Sequence, residues 1–338
     1  DLVRSRGLGD VYKRQIMYDT LKLILREEEL NNEISFMEEI SCRLTDVKYY
    51  NNKVVGHIRN MRVEVRDTTL VVEGSLTKWL LGNNYEKSLS LWDIRVAIKS
   101  LSSALGVPLE MAKVVRLDIA FNFSVEYVPW LYMKKLLYSD GYHRSNIEKE
   151  TLYLDRYDVQ QVFYDKMSEL KSCGVEELEE LAHLNVLRYE FRFKRVTKVL
   201  GEVRGSYLYH PDFCLLLLNK WYRCYMDIDK QVEEVGIKFT GIKSMKESCV
   251  ALCMSEINMF EKVEEAFVKK EINSAVKFAV LQELRRIGAT YCDYDKVSLV
   301  DELTKKIENV YVMLKRRYNV TPARMEIYNK IIDSEYIV

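Results

Sequence analysis

The chain predicts an α+β fold: an antiparallel-sheet-rich domain with flanking helices, followed by a helical C-terminal domain. Three observations carry this. The stretches 115–123, 161–166 and 186–194 alternate charged or polar residues with apolar ones, the period-2 mark of half-buried strands. Before them, residues 53–76 hold short strand-like runs joined by turn residues. Beyond about Val196 the apolar period lengthens to that of a helix, and strands followed by helices argue for α+β rather than a doubly wound sheet.

In chain order, residues 1–15 show little periodicity and resemble a translated sequencing adapter, so the fold is expected to begin at Met17, with 16–225 as the sheet-rich domain; a short basic arm is the alternative. Residues 17–25 read as a first strand with Leu21, Leu23 and Leu25 on one face, whereas 31–44 is ambiguous. Runs at 53–58, 61–66 and 69–76 form an antiparallel meander with a tight turn at Asp67-Thr68, and Gly82-Asn83-Asn84 ends the pattern. A helix over 90–105 is started by Ser90 with Asp93 three residues on, and stopped by Gly106 and Pro108. The strand on each side makes this a crossover unit. A strand at 114–123 follows, then a helix near 130–138 and strands at 150–154, 161–166 and 186–194. The acidic run Glu176 to Glu180 reads as a solvated face. Helices are expected at 196–203, 211–225, 243–269, 274–288 and 299–318, and the helical domain is set at 226–338 from composition.

Composition bounds what such a fold can do. With 338 residues and 48% apolar content the chain can bury a sizeable core. Its 51 basic and 51 acidic residues cancel, so local charge must carry any contact with nucleic acid. Seven cysteines form no Cys-x-x-Cys pair and four histidines are scattered, which argues against a structural zinc site and fits reduced thiols in a cytoplasmic protein. No uninterrupted apolar stretch is longer than 213–218, which is far too short to span a bilayer.

The polar faces of three strands are the candidate site. Arg116, Asp118 and Asn122 share one face; Tyr164 and Lys166 share another, with Asp165 facing away; Arg188, Glu190, Arg192 and Lys194 share a third. Asp118 and Glu190 offer hard oxygen ligands suited to Mg2+ or Mn2+. Lys166, Arg116, Arg188 and Arg192 could take phosphate oxygens. A phenol with a pKa of about 10 is a weak nucleophile, but a nearby cation favours its ionised form, and attack by Tyr164 on a phosphodiester would give a phosphotyrosine. From Arg188 to Arg204 there are six basic residues and two acidic ones, a net of +4 that suits DNA. Arg285, Arg286 and Lys315, Arg316, Arg317 are further candidate phosphate contacts. No helix-turn-helix pattern is evident.

Five ordered blocks add a resemblance: Val72 to Lys78 with Gly82-Asn83-Asn84, Val115 to Asn122, Thr151 to Tyr153, Phe163 to Glu169, and Leu187 to Phe193. Together, across about 17–200, they are similar to the replication initiation factor family, the initiators of rolling-circle plasmids and filamentous-type bacteriophages. The resemblance implies a metal-dependent, site-specific DNA endonuclease and ligase, distantly related to the His-hydrophobe-His nucleases. It would nick one strand of the origin, stay attached to the 5′ phosphate through a tyrosine, and rejoin the strand after replication. The tyrosine implied is Tyr164, beside Lys166. The implied metal ligands are Asp118 and Glu190, with Glu73 or Glu169 as the third. Glu73 would share a strand face with Ser75 and Thr77. The chain has no His-x-His, so such a metal site would be carboxylate-based. A second tyrosine, if used, would be Tyr153 or Tyr157.

The implied partners are origin DNA, single-stranded or supercoiled, and a host helicase and polymerase, with a homodimer as one option for assembly and no membrane. Two other classes compete with this reading. A tyrosine recombinase needs its arginines and tyrosine in a helical domain, whereas here they lie on strands. A non-catalytic DNA-binding or interaction protein with an amphipathic sheet is the alternative.

Overall fold

A computed structural model describes residues 17–30, 35–85, 88–147, 150–174, 184–231, 236–237, 245–256, 259–293 and 299–319. Residues 1–15 and the acidic run Glu176 to Glu180 lie outside the described residues.

Among the described residues, eleven strands organise the N-terminal part: β1 Met17–Arg26, β2 Thr45–Tyr50, β3 Lys53–Ile58, β4 Met61–Arg66, β5 Thr69–Gly74, β6 Lys113–Val125, β7 Leu136–Ser139, β8 His143–Ile147, β9 Thr151–Asp155, β10 Val159–Asp165 and β11 Asn185–Phe193. Ten of them form one sheet in the order β2-β3-β4-β5-β1-β6-β11-β10-β9-β8, antiparallel at every pairing. The short β7 pairs instead with Ile228–Lys230. The fold is thus α+β, with helices dominating the C-terminal region. Two meanders, β2 to β5 and β8 to β11, flank the central pair β1 and β6. Because β1 runs antiparallel to both β5 and β6, those two strands are parallel and need the predicted crossover.

That crossover contains one helix that the strand pattern conceals. The strand at 69–76 stops at Gly74; Ser75 then accepts a hydrogen bond from Lys78 N and starts helix Leu76–Leu81. Ser75 and Thr77 therefore do not continue the strand face of Glu73, and Thr77 is buried with its hydroxyl on Tyr18 O. Helix Leu91–Leu105 is built as its capping residues predict: Ser90 Oγ accepts from Asp93 N at 3.0 Å and Asp93 Oδ2 accepts from Ser90 N at 2.7 Å. At its other end Gly106 adopts φ 75°, where a side chain would be strained. Asp67 also takes positive φ, 47°, in the tight turn from β4 to β5.

One face of the sheet buries Leu21, Leu23, Val63, Val72, Leu117, Ile119, Phe163, Leu187, Tyr189 and Phe191 beneath helices. Helix Leu91–Leu105 contributes Ile94, Ile98 and Leu101; helix Pro211–Met226 contributes Leu217, Leu218 and Trp221. The Trp221 ring lies 4.5 Å from Phe121 and 5.3 Å from Tyr189, centroid to centroid. Helix Leu299–Tyr318, at the bounds its periodicity predicts, packs on Pro211–Met226 and adds Leu303, Ile307 and Leu314 to this same core. Within the expected helix at 243–269 the described residues form helices Met245–Glu256 and Met259–Val268. These two pack with Ser274–Tyr291 around a smaller apolar cluster that includes Phe260, Leu281 and Leu284. Among the described residues no helix is long and apolar enough to cross a membrane.

Candidate active site

The opposite face of the sheet is polar, and its residues follow from strand register. On β6 and β11, Asp118 faces Arg192, Ala120 faces Glu190, and Asn122 faces Arg188. On β10, Val162 faces Glu190 and Tyr164 faces Arg188; on β9, Thr151 faces Tyr164 and Tyr153 faces Val162. Side chains on one face interact with direct and diagonal neighbours alike. Tyr164 uses the diagonal, its hydroxyl donating to Glu190 Oε1 at 2.7 Å.

Glu190 is almost fully buried and is held by guanidinium groups on both oxygens. Arg188 Nε donates to Oε1 at 2.8 Å, while Arg192 donates to Oε2 from Nη2 at 2.7 Å and from Nε at 3.0 Å. Asp118, also buried, accepts from Arg116 Nη2 at 2.7 Å and Nε at 3.2 Å, and Arg192 Nε lies 3.9 Å from its Oδ2. Arg192 therefore bridges the two carboxylates. Burial raises the Asp118 carboxyl to about 6, against the pull of Arg116 and Arg192 and with a smaller push from Glu190. The bond to Asp118 keeps the Arg116 guanidinium charged. The pair thus benefits the half-exposed cation while the buried anion loses more hydration than the guanidiniums return.

Burial is also the largest influence on Tyr164, pushing its phenol well above the ordinary tyrosine value; Arg188 opposes this, and Glu190 and Asp19 add to it. The ground state is a protonated phenol beside a carboxylate. The sequence predicts a cation that favours the ionised form; burial and the two acids outweigh Arg188 here.

Several site residues stand differently from their sequence-based placement. Lys166 is not on the strand with Tyr164. The strand ends at Asp165, which turns its carboxylate onto the Met167 and Ser168 N–H groups and starts helix Lys166–Ser172. Asp165 therefore caps a helix beside Tyr164 instead of facing away, and Lys166 is buried in an ion pair with Glu169 at 2.6 Å. Arg188, expected to meet phosphate, is sealed from solvent. It reaches Asp19 at 3.0 Å, Asn122 Oδ1 at 3.3 Å and Asn84 O at 3.3 Å, as well as Glu190. Its cover is the turn after helix Leu76–Leu81 together with helix Lys166–Ser172, where Met167 and Leu170 pack on Val186 and Tyr85.

Arg116 and Arg192 are partly open, with side-chain exposures of 34% and 25%. Lys194 pairs with Asp155 at 2.6 Å, and Glu73 pairs with Lys22 at 3.0 Å and lies 3.8 Å from Arg116. Arg285 is tied to Asp229 at 2.9 Å, and Arg286 to Glu283 at 2.6 Å and to Glu247.

Asp19 joins the site without having been legible in the strand pattern. A bulge between Tyr18 and Leu21 puts both of those residues in the core and turns Asp19 toward Arg188. Burial disfavours its charge, but Arg188, the Asn84 amide and Lys166 outweigh that and hold its pKa well below the usual carboxylate range. The single carboxylate of this strand, beside the buried Tyr18, is the signal that could have found it.

The donor chemistry of Asp118 and Glu190 suits a hard divalent cation, but the arrangement fits guanidinium instead. Their oxygens are held by Arg116, Arg188 and Arg192, and neither Glu73 nor Glu169 joins them. Among the described residues no group of three His, Cys, Asp or Glu side chains converges as a metal site.

Beside Tyr164 opens a cleft of about 310 Å³, lined among others by Tyr153, Val162, Ser168, Glu169 and Arg192. Of the two further tyrosines, Tyr153 lines this cleft, whereas Tyr157 is exposed at the β9 to β10 turn under the Arg195 guanidinium.

Residues 17–204 match the Phage-CRI family model, which describes the N-terminal part of a phage replication-associated protein. Curated proteins give no significant match. The matched segment covers more than half of the chain and contains every strand of the large sheet, together with the Tyr164 and Glu190 pair. The chain therefore belongs to this phage replication-associated protein family and has a role in the initiation of phage replication.

Proposed function

We propose that the chain is a rolling-circle initiator that nicks one strand of phage origin DNA through Tyr164 and later rejoins it. The observation that carries this is the Tyr164 hydroxyl on Glu190 Oε1 at 2.7 Å, in a cleft that Arg192 also lines. Because burial holds the phenol protonated, the proton must leave as the oxygen attacks. Glu190 accepts it while Tyr164 Oη bonds to phosphorus and the P–O3′ bond breaks. The 3′ oxygen takes up a proton from solvent, and the 5′ phosphate stays on Tyr164 as an ester. Arg192 and Arg116, the open cations, would stabilise the charge on the non-bridging oxygens. Rejoining reverses these steps, with the 3′ hydroxyl as nucleophile.

Lys166 acts as a positioning residue, since it holds Glu169 and the Asn84 side chain that in turn holds Asp19. Arg188 positions Glu190. A Mg2+ or Mn2+ ion at Asp118 and Glu190 is a separate proposal that requires Arg116 and Arg192 to release those oxygens. The free 3′ end would prime a host polymerase, with a host helicase opening the duplex in the bacterial cytoplasm.

The test is incubation with single-stranded oligonucleotides from the protein's own replicon, with Mg2+, with Mn2+ and with chelator. A covalent protein–DNA adduct is expected from the wild type and none from Tyr164→Phe. Equal adduct from both would move the nucleophile elsewhere. The occupied carboxylates and the strongly protonated phenol favour the alternative of a non-catalytic DNA-binding protein, and that reading takes over if neither protein forms an adduct.

A further inference from the structure

We propose that the cleft beside Tyr164 receives one unstacked nucleobase of the bound strand, and that it prefers a base with an exocyclic amino group over thymine or uracil. This rests on the nicking reading above, because the base would belong to the strand presented to Tyr164. At about 310 Å³ the cleft stands at the lower end of the roughly 300 to 1,000 Å³ that small-ligand clefts span, so it has room for one base rather than a stretch of strand.

Its walls divide by chemistry. Tyr153 and Tyr164 stand on the same face of adjacent strands in diagonal register, with buried Val162 between them as the apolar floor. Aromatic side chains beside an apolar surface suit the π-face of a base, and such stacking is tolerant of which base is present. The lining also carries the exposed Glu150 and Ser168 and the half-buried Glu169, which is paired with Lys166. The Glu150 carboxylate repels a phosphate, which disfavours the DNA backbone in this part of the cleft. Carboxylates accept hydrogen bonds from the amino group of cytosine or adenine, whereas thymine and uracil place the O4 acceptor there, which a carboxylate repels, beside a single N3–H. Arg192 lines the same cleft and lies on the Glu190 side, which leaves the phosphate next to Tyr164 and turns the base toward the acids.

Binding of fluorescent oligo-dC, oligo-dU and oligo-dT dodecamers to the full chain tests this. Cytosine and uracil differ at C4 between amino and oxo, with the corresponding change at N3. Wild type is expected to bind oligo-dC about tenfold tighter than oligo-dU, with oligo-dT like oligo-dU. Ser168→Trp, a change at an exposed position that fills the cleft, should bring the ratio near one. Glu150→Gln should narrow it, since an amide can also donate to O4; because Glu150 is exposed, this variant serves if Ser168→Trp fails to fold.

Equal wild-type affinity for oligo-dC and oligo-dU overturns the proposal, as does a ratio that persists in folded Ser168→Trp. If affinities are equal while a Tyr164-dependent adduct still forms, the base site falls and the nicking reading stands. A clear cytosine preference with no adduct supports the base site and sinks the nicking reading. Failure to bind any of the three dodecamers overturns the base site, and the adduct assay on origin-derived strands then decides the nicking reading by itself.

Discussion

The Tyr164 hydroxyl donates to Glu190 Oε1 across the β10 and β11 pair, one diagonal step from its register partner Arg188. The same carboxylate accepts from Arg188 and Arg192, so the phenol shares its acceptor with two guanidiniums. A phenol, a carboxylate and a partly open guanidinium are thereby joined through one side chain.

Tyr164→Phe should remove adduct formation while leaving the fold in place. Glu190 keeps its guanidinium partners, so the loss is that of one hydrogen bond to a charged acceptor, about 1.5 to 3 kcal/mol. Urea denaturation read beside the adduct assay separates the two effects; a loss well above that range would make the tyrosine a structural residue first.

Arg188 and Arg192 should part company when each is changed to Met. Arg188→Met strands Asp19 and Glu190 in the interior and should cost about 3 to 5 kcal/mol of stability. Arg192→Met should leave a folded protein whose single-stranded DNA affinity depends less steeply on salt, by roughly 0.7 in the log-log slope for one lost phosphate contact. An unchanged slope in the Arg192 variant would remove that residue from the DNA surface.

Asp118 makes stability depend on pH. Its folded value, about 6, lies above the ordinary carboxylate value of about 3.9, so between these the folded protein binds more protons than the unfolded chain. Its contribution is therefore present at low pH and is lost as pH rises through about 4 to 6, a change of roughly 3 kcal/mol. Denaturation midpoints measured across that window should fall less with rising pH in Asp118→Asn than in the wild type. Parallel curves would show that Asp118 does not titrate there.

Ser90→Ala breaks the side-chain arm of the capping box ahead of helix Leu91–Leu105 and should lower stability by about 1 kcal/mol. Because that helix lies on the core face of the sheet, DNA binding should be unchanged.

The side-chain parity of the principal strands and the extents of several helices are legible in the residue pattern of the chain. In β11, Arg188, Glu190 and Arg192 point to one face and Leu187, Tyr189 and Phe191 to the other, because the two-residue pleat is a local property. The capping box at Ser90 and the helix Leu299–Tyr318 were legible for the same reason. Which polar residues stay open to a ligand depends on how distant segments pack over the sheet. Arg188 and Arg192 are equivalent in the strand pattern, yet a covering helix and turn seal the first and leave the second half-buried. Packing also decides where alternation fails: a bulge turns Asp19 toward the site, and an aspartate cap ends the strand before Lys166. Those outcomes depend on contacts between segments far apart in the chain, such as Asn84 with Asp19 and Lys166, which no local period encodes.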